Sequence, residues 1–460
     1  MSMYFPAQGF VLAAGKVLFG NPWFGLLIAT SLMCAAICWM LQAWLPASWA
    51  FLGGMFAVVH LALFSYWIDT YTGAGSLAAL GGALVLGGLP RFTRNQRVHH
   101  ALLMALGVVL LANTRPFEGL LLFVAVSAFI CRWYFSSGCK LTKSRLLLRS
   151  AAALVLLIVA TLGMGYYNFR VFGSPYTLPY TINRATYGVA PYFIWQSPRP
   201  VPIYHNEQMR QLYSSEEMSY YNKVHSLRLY PVVFVYRTFV VSEFYAGLTL
   251  LPLLAMLSHV FRDRRLRFLA LFLIIALGAN AIQIFFVPHY LAPFTAAFYA
   301  VGLQCARHFR QWKPGDRPIG RTLVRFAILA SLLLVCLRPF AEDLHFKLSD
   351  RGSVAWEWLG VENFGKPRAD VERALEHLPG KQLAVVRYSG DHEPDDEWVY
   401  NCADIDASKI IWARELDPAS NLQLIRYYNS RKVWLIQPDQ SPLEIVPYVM
   451  QDKRASTPRW

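Results

Sequence analysis

The chain has 460 residues, of which 55% are hydrophobic and only 15% charged, and its apolar residues fall in blocks long enough to cross the roughly 30 Å hydrocarbon core of a bilayer. A formal net charge of +15 would suit a nucleic-acid binder, but many of the Lys and Arg lie in short loops between apolar runs, where a membrane protein keeps them, so nucleic acid is set aside as a partner. The seven cysteines have no metal spacing and argue against a disulfide framework, and the absence of any Asn-x-Ser/Thr acceptor leans towards a prokaryotic membrane.

After an opening loop, "MSMYFPAQG", apolar runs predict spans near 22 to 45, 49 to 66, 74 to 90, 99 to 113, 117 to 134, 146 to 168, 232 to 261, 268 to 287, 290 to 307 and 322 to 341. The expected fold class is therefore an all-α polytopic membrane bundle of about ten transmembrane helices. Several runs are short of a full span, and those from 74 to 134 suit tilted or buried helices. Gly81, Gly82, Gly87 and Gly88 in "LAALGGALVLGGLP" lack the Lys-Ser/Thr of a phosphate loop and predict close helix packing instead.

Four basic stretches, at 91 to 97, 132 to 149, 262 to 267 and 307 to 325, belong on the cytoplasmic side. Alternating crossings then place residues 1 to 21, "SYWIDTYTGAG", "NTRPFEG", the loop 170 to 231, "VPHYL" and everything after 341 on the opposite face. From about 342 the composition becomes that of a soluble domain, so the expected domains are 1 to 341 and 342 to 460. In the second, "RADVERALEHLPG" and "NLQLIRYYNS" read as helices and "QLAVVRY", "KIIWARE" and "KVWLIQP" as strands, giving a small extracytoplasmic α/β domain.

Candidate chemistry sits on the outer face. In "ANTRPFEGLLLF", Pro116 starts a helix and Glu118 suits the positive end of its dipole. Arg115 opposes that dipole and costs about 2.5 to 3.5 kcal/mol if drawn to the bilayer midplane, so an anionic partner, Glu118 or a lipid phosphate, is expected. Asp69 lies just outside a span among aromatics, either as a site carboxylate or as a solvated loop residue. The 170 to 231 loop mixes Tyr, Pro and Trp with Arg170, Arg184, Arg199, His205 and Arg210, which suits a lid at headgroup depth able to meet phosphate, or plain interfacial anchoring. His289 and Tyr290 mark another outer turn, where the His could orient a phosphate or cap a helix. Asp404 and Asp406 in "ADIDAS", and the acidic "DHEPDDE", read as a solvated rim rather than a metal site.

Together these stretches resemble the polytopic glycosyltransferases of the GT-C fold, especially bacterial relatives of protein O-mannosyltransferases and aminoarabinose transferases. The likeness rests on "MYFPAQGFVLAAGKVLFGNPWFGLL", which resembles the family's Tyr-Pro-Pro segment leading through a short helix into a span. It rests also on the short spans around "WIDTYTG" and "TRPFEG", on the late His-Tyr turn and on the C-terminal domain. The resemblance implies transfer of a sugar from a polyprenyl-phosphate donor to a glycan, lipid or protein acceptor at the outer face of a bacterial inner membrane. By position it implies Asp69 and Glu118 as catalytic carboxylates, and Arg115, Arg170, Arg184, His205, His289 and Tyr290 as substrate contacts. No metal ligands are assigned, and a divalent metal cofactor is left open. The family's first-loop acidic residue would precede Tyr4, so the chain is expected to lack an N-terminal span and that acid. Two further classes fit the composition: a non-catalytic membrane protein that binds or moves a lipid-linked glycan, and a structural subunit whose C-terminal domain docks a partner.

Overall fold

The structure is a computed structural model and describes residues 3–63, 65–68, 70–71, 74–136, 143–204, 207–247, 250–337, 340, 365–392, 396–402 and 404–449. It divides into two compact units, Met1–Gly360 and Val361–Trp460. The expected domain boundary near 342, like Asp69 and His205, lies outside the described residues.

In the first unit, α1 (Pro6–Phe19) begins at a proline, which has no N–H to leave unpaired, and closes on Gly20 at φ 77°. Then follow α2 (Trp23–Trp44), α3 (Ala47–Ala57, continued by a π turn to Leu63), α4 (Gly75–Asn95), α5 (Val98–Ala112), α6 (Pro116–Phe135) and α7 (Lys143–Phe172). The segment expected as a loop at 170 to 231 carries α8 (Pro179–Thr186), α9 (Glu207–Gln211) and α10 (Glu217–His225). Last come α11 (Tyr230–Ala246), α12 (Leu257–Arg262), α13 (Arg267–Ala281), α14 (Thr295–Phe309) and α15 (Ile319–Leu337).

The expectation of about ten full spans is corrected. Among the described residues five helices are long and apolar enough to cross a membrane: α2, α4, α6, α7 and α15. The other apolar segments are shorter for identifiable reasons. The expected span 232 to 261 is broken where Gly247 turns to φ 69° and a 3-10 turn, Leu251–Met256, carries Pro252 as its second residue. Pro288 and Pro293 keep residues 288 to 294 in a 3-10 turn before α14. Each of α5 and α13 has 15 residues, a rise of about 22 Å, short of a full crossing. The unit is a multi-pass helical membrane protein with more, and shorter, helices than its apolar runs suggest.

At its centre α4 is buried on all sides. A Cβ on Gly82 would stand 1.8 Å from the Pro293 carbonyl oxygen, so the 288 to 294 turn can lie against α4 only because that side chain is missing. A Thr30 to Ser76 hydroxyl bond of 2.9 Å joins α2 to α4. Ring contacts Phe92–Trp133, Phe129–Phe268 and Trp44–Phe268, with hydrogen bonds from Arg149 to the Gln96 carbonyl and from Gln304 to Asp263, gather the four basic turns at one end of the bundle.

In the second unit α16 (Lys366–His377) and α17 (Pro418–Tyr427) accompany β1 (Gln382–Val386), β2 (Ile410–Arg414), β3 (Lys432–Ile436) and β4 (Ile445–Pro447). The order is β2-β1-β3-β4, with β1 parallel to both neighbours and β4 antiparallel to β3. All five residues of β1 are buried, as a central strand covered on both faces requires.

Candidate functional site

At the end of the bundle opposite the basic turns, the α5–α6 turn is built from its own side chains. Asn113 and Thr114 donate back to the carbonyls of Val109 (3.0 Å) and Leu110 (2.7 Å), and the Arg115 N–H to that of Leu111 (2.8 Å). Pro116 then begins α6. This closed turn aims Arg115 inward, where it is 6% exposed with its guanidinium carbon 4.3 Å from the centre of the Tyr290 ring. Glu118, 5% exposed, accepts a 3.1 Å hydrogen bond from Gln283 Nε2. Tyr4 and Tyr180 also lie within electrostatic reach of Arg115, as do Tyr66 and His289. Burial pushes the Tyr180 phenol up to about 12, against the pull of Arg115, so it stays protonated and able to donate.

Neighbouring elements hold these groups in place. His289 donates its backbone N–H to the Tyr66 hydroxyl (3.1 Å), and the same hydroxyl is hydrogen-bonded to His289 Nδ1 (2.7 Å). Buried Arg237 on α11 grips the chain after α13, donating to the carbonyls of Gln283 (2.7 Å) and Ile284. On the other side, Ile194 N–H bonds the Ile282 carbonyl (3.1 Å) and Ile284 N–H that of Tyr192 (2.8 Å). The segment presenting Gln283 to Glu118 is thus clamped from two directions.

The structure brings Arg115, Glu118, His289 and Tyr290 together from two turns 171 to 175 residues apart. Arg170 and Arg184 have partners of their own. Arg184, from α8, is buried in a two-pronged pair with Glu217 of α10 (2.8 and 2.7 Å) and also donates to the Ala190 carbonyl. Its charge is engaged by Glu217, and the pair holds the excursion together. Arg170 stands exposed near the end of α7, bonded to the Tyr166 hydroxyl at 3.0 Å. Sequence reasoning missed Arg237 and Gln283, although a cation within "VFVYRTFVV" is itself a signal, because a buried charge must be satisfied by something.

Beside the cluster, a cleft of about 490 Å³ is lined by Tyr4, Phe5, Gln8, Phe10, Thr114 and Tyr167 among others. Its walls are mainly apolar. Gln8, 5% exposed, has a buried Oε1 with no hydrogen-bond partner among the described residues, and Thr114 in the wall adjoins Arg115 in the chain. The arrangement offers a cation and phenol hydroxyls next to an apolar trough, which suits an amphiphile with an anionic head.

The Asp404 and Asp406 pair has structural partners: Asp404 Oδ1 accepts from the Ala407 N–H (3.0 Å) and Asp406 Oδ1 from the Tyr428 hydroxyl (2.8 Å). Among the described residues no three His, Cys, Asp or Glu side chains lie close enough to hold a metal ion.

No family model matches the chain, and no curated protein does. Among solved structures it is similar to the crystal structure of ArnT from Cupriavidus metallidurans in the apo state, at 12% identity and a TM-score of 0.47, over 95% of this chain and 82% of that one. It is also similar to the Archaeoglobus fulgidus oligosaccharyltransferase tethered to an acceptor peptide, at 12% identity and a TM-score of 0.37, over 95% of this chain and 61% of that one.

Proposed function

We propose that the helical unit is a membrane glycosyltransferase that moves a sugar from a polyprenyl-phosphate donor to an acceptor at the outer face of a bacterial inner membrane, with the C-terminal unit on the same side. The observation that carries this reading is a buried arginine, Arg115, set beside an apolar trough at the bundle end opposite the basic turns. The positive-inside rule makes that end extracytoplasmic. The prenyl chain would lie along the trough. An acceptor oxygen would attack the anomeric carbon as its bond to the phosphate oxygen breaks, and the leaving phosphate would be stabilised by Arg115 and by the hydroxyls of Tyr180 and Tyr290. Glu118 and Asp69 are the carboxylates proposed to take the acceptor's proton, and a divalent metal remains part of the proposal only as an optional cofactor.

The decisive experiment is transfer from a radiolabelled polyprenyl-phosphate sugar by purified protein in liposomes. Arg115→Ala should lower turnover by about 10²- to 10³-fold, with Arg115→Lys recovering part of it. Unchanged transfer in Arg115→Ala removes Arg115 from the site. The bond from Gln283 to Glu118 favours a second reading, a protein that binds or moves a lipid-linked glycan without reacting it, because it engages the carboxylate expected to act as base. Saturable donor binding without turnover in the unaltered protein would select that reading.

A further inference from the structure

The C-terminal unit has a crevice that the proposed chemistry does not use. Strands β1 and β3 are parallel neighbours, yet the chain leaves β1 towards β2 on one side and leaves β3 towards β4 on the other. Their following loops must part, and a crevice opens at the carboxyl ends of the two strands, where open α/β sheets bind ligands. The structure has a cavity of about 340 Å³ at this point. It is lined by Arg387, Tyr388 and Asp391 after β1 and by Gln437, Asp439 and Gln440 after β3. Its size is at the lower end of the range of small-ligand pockets, about 300 to 1,000 Å³, the scale of a mono- or disaccharide.

The crevice is braced in advance. Asp439 accepts from the Ser389 N–H (2.8 Å) and binds His392 Nδ1 (2.7 Å), tying the two loops together. Tyr388 is held by stacking on His392, with ring centres 3.9 Å apart, and by the Trp398 N–H donating to its hydroxyl at 2.8 Å. Little ordering cost is left for a ligand.

The charges choose the ligand class. Arg387 spends its guanidinium on a two-pronged pair with Glu415, so the one cation among the described lining residues is neutralised, while Asp391 and Asp439 add carboxylates. Phosphates and nucleotides are therefore disfavoured. Asp391, Gln437 and Gln440 have no side-chain hydrogen bond to another described residue and offer a carboxylate and two amides, groups that pair with adjacent hydroxyls as acceptor and donor at once. We propose that this crevice is a saccharide-binding site, selective for neutral or amino sugars over anionic ones. That the bound saccharide is the transferase's acceptor rests on the reading above; the binding itself does not.

The test is saturation-transfer difference NMR on the full-length protein in nanodiscs, with maltotriose, mannotriose or a chitosan trimer as probe and ADP as anionic comparator. Saturation transfer to at least one of the sugars, none to ADP, and about ten-fold weaker sugar binding in Asp391→Ala/Gln437→Ala are expected. Asp391 is exposed and Gln437 half-buried, and an unchanged thermal unfolding profile would confirm that the variant is folded. Absence of transfer to all three sugars, stronger binding of ADP, or sugar binding unaltered in the double variant each overturns the assignment. Arg115→Ala keeps the two ideas apart: it should retain sugar binding here while transfer from the lipid donor falls.

Discussion

The Arg184–Glu217 pair separates a brace from a substrate contact. Two charge-assisted bonds of 2.8 and 2.7 Å join side chains that are 6% and 16% exposed, and Arg184 also serves the Ala190 carbonyl. Burial pushes the Glu217 carboxyl above its ordinary range, against the pull of Arg184, so the carboxylate depends on its partner. Arg184→Met should cost about 3 to 5 kcal/mol, since it strands a buried carboxylate. That is a large share of a typical total of roughly 5 to 15 kcal/mol. Arg184→Met/Glu217→Leu removes both charges and should return to within about 1 to 2 kcal/mol of the parent, a large coupling in a double-mutant cycle. The assay is thermal unfolding in detergent for all four proteins of the cycle, with sugar transfer measured in parallel. If Arg184 is a brace, transfer follows stability and the double variant regains both. A double variant as stable as the parent but without transfer would refute the argument and return Arg184 to the donor site.

Three further perturbations test the site and the fold. Arg237→Met should leave two buried carbonyls unpaired, costing about 2 to 6 kcal/mol in a detergent melt, and should lower kcat more than it raises KM because Gln283 loses its clamp. Gly82→Val, with its Cβ aimed at the Pro293 carbonyl, should lower the yield of folded protein by size-exclusion chromatography, while Gly278→Ala, with open space around its Cβ, should not. In the second unit, hydrogen bonds from Arg387 hold the Glu415 carboxyl below its ordinary value. A lowered folded pKa contributes stability that is complete above the unfolded value of about 4.3 and is lost as pH falls through the folded one. Pulse proteolysis of the full-length protein from pH 6 to 3 should therefore show the C-terminal unit loosening at the acid end, with a shallower slope in Glu415→Gln.

The legible parts of the sequence were those written in local pattern. Short apolar runs placed β1, β2 and β3, and helical spacing placed α16 and α17, close to where they stand, while apolar length placed α2, α6, α7 and α15. Strand β4 escaped because its three residues are too few to show alternation. The apolar run from 232 to 261 misled because hydropathy is blind to a glycine at positive φ and to a proline two residues into a turn. Arg115, Glu118, His289 and Tyr290 could each be named as turn residues, but their meeting depends on packing across the bundle. Arg184 shows the converse limit. Spacing showed a cation in an aromatic loop, and only the fold could supply Glu217, 33 residues away.

The burial of α4 has a consequence for how the protein is made. Of the five helices long enough to span, α4 is the least apolar and the most enclosed, whereas α7 is the most apolar and almost wholly exposed. Helices are offered to the lipid in order of synthesis, and α4 is offered before most of the partners that enclose it exist. Its glycine-rich surface gains little from hydrocarbon alone and much from Trp39, Gly107 and Pro293. Insertion would therefore leave α4 poorly settled until α5 and then the 288 to 294 turn are delivered. Nascent chains stalled before residue 288 should be the ones that quality-control proteases clear.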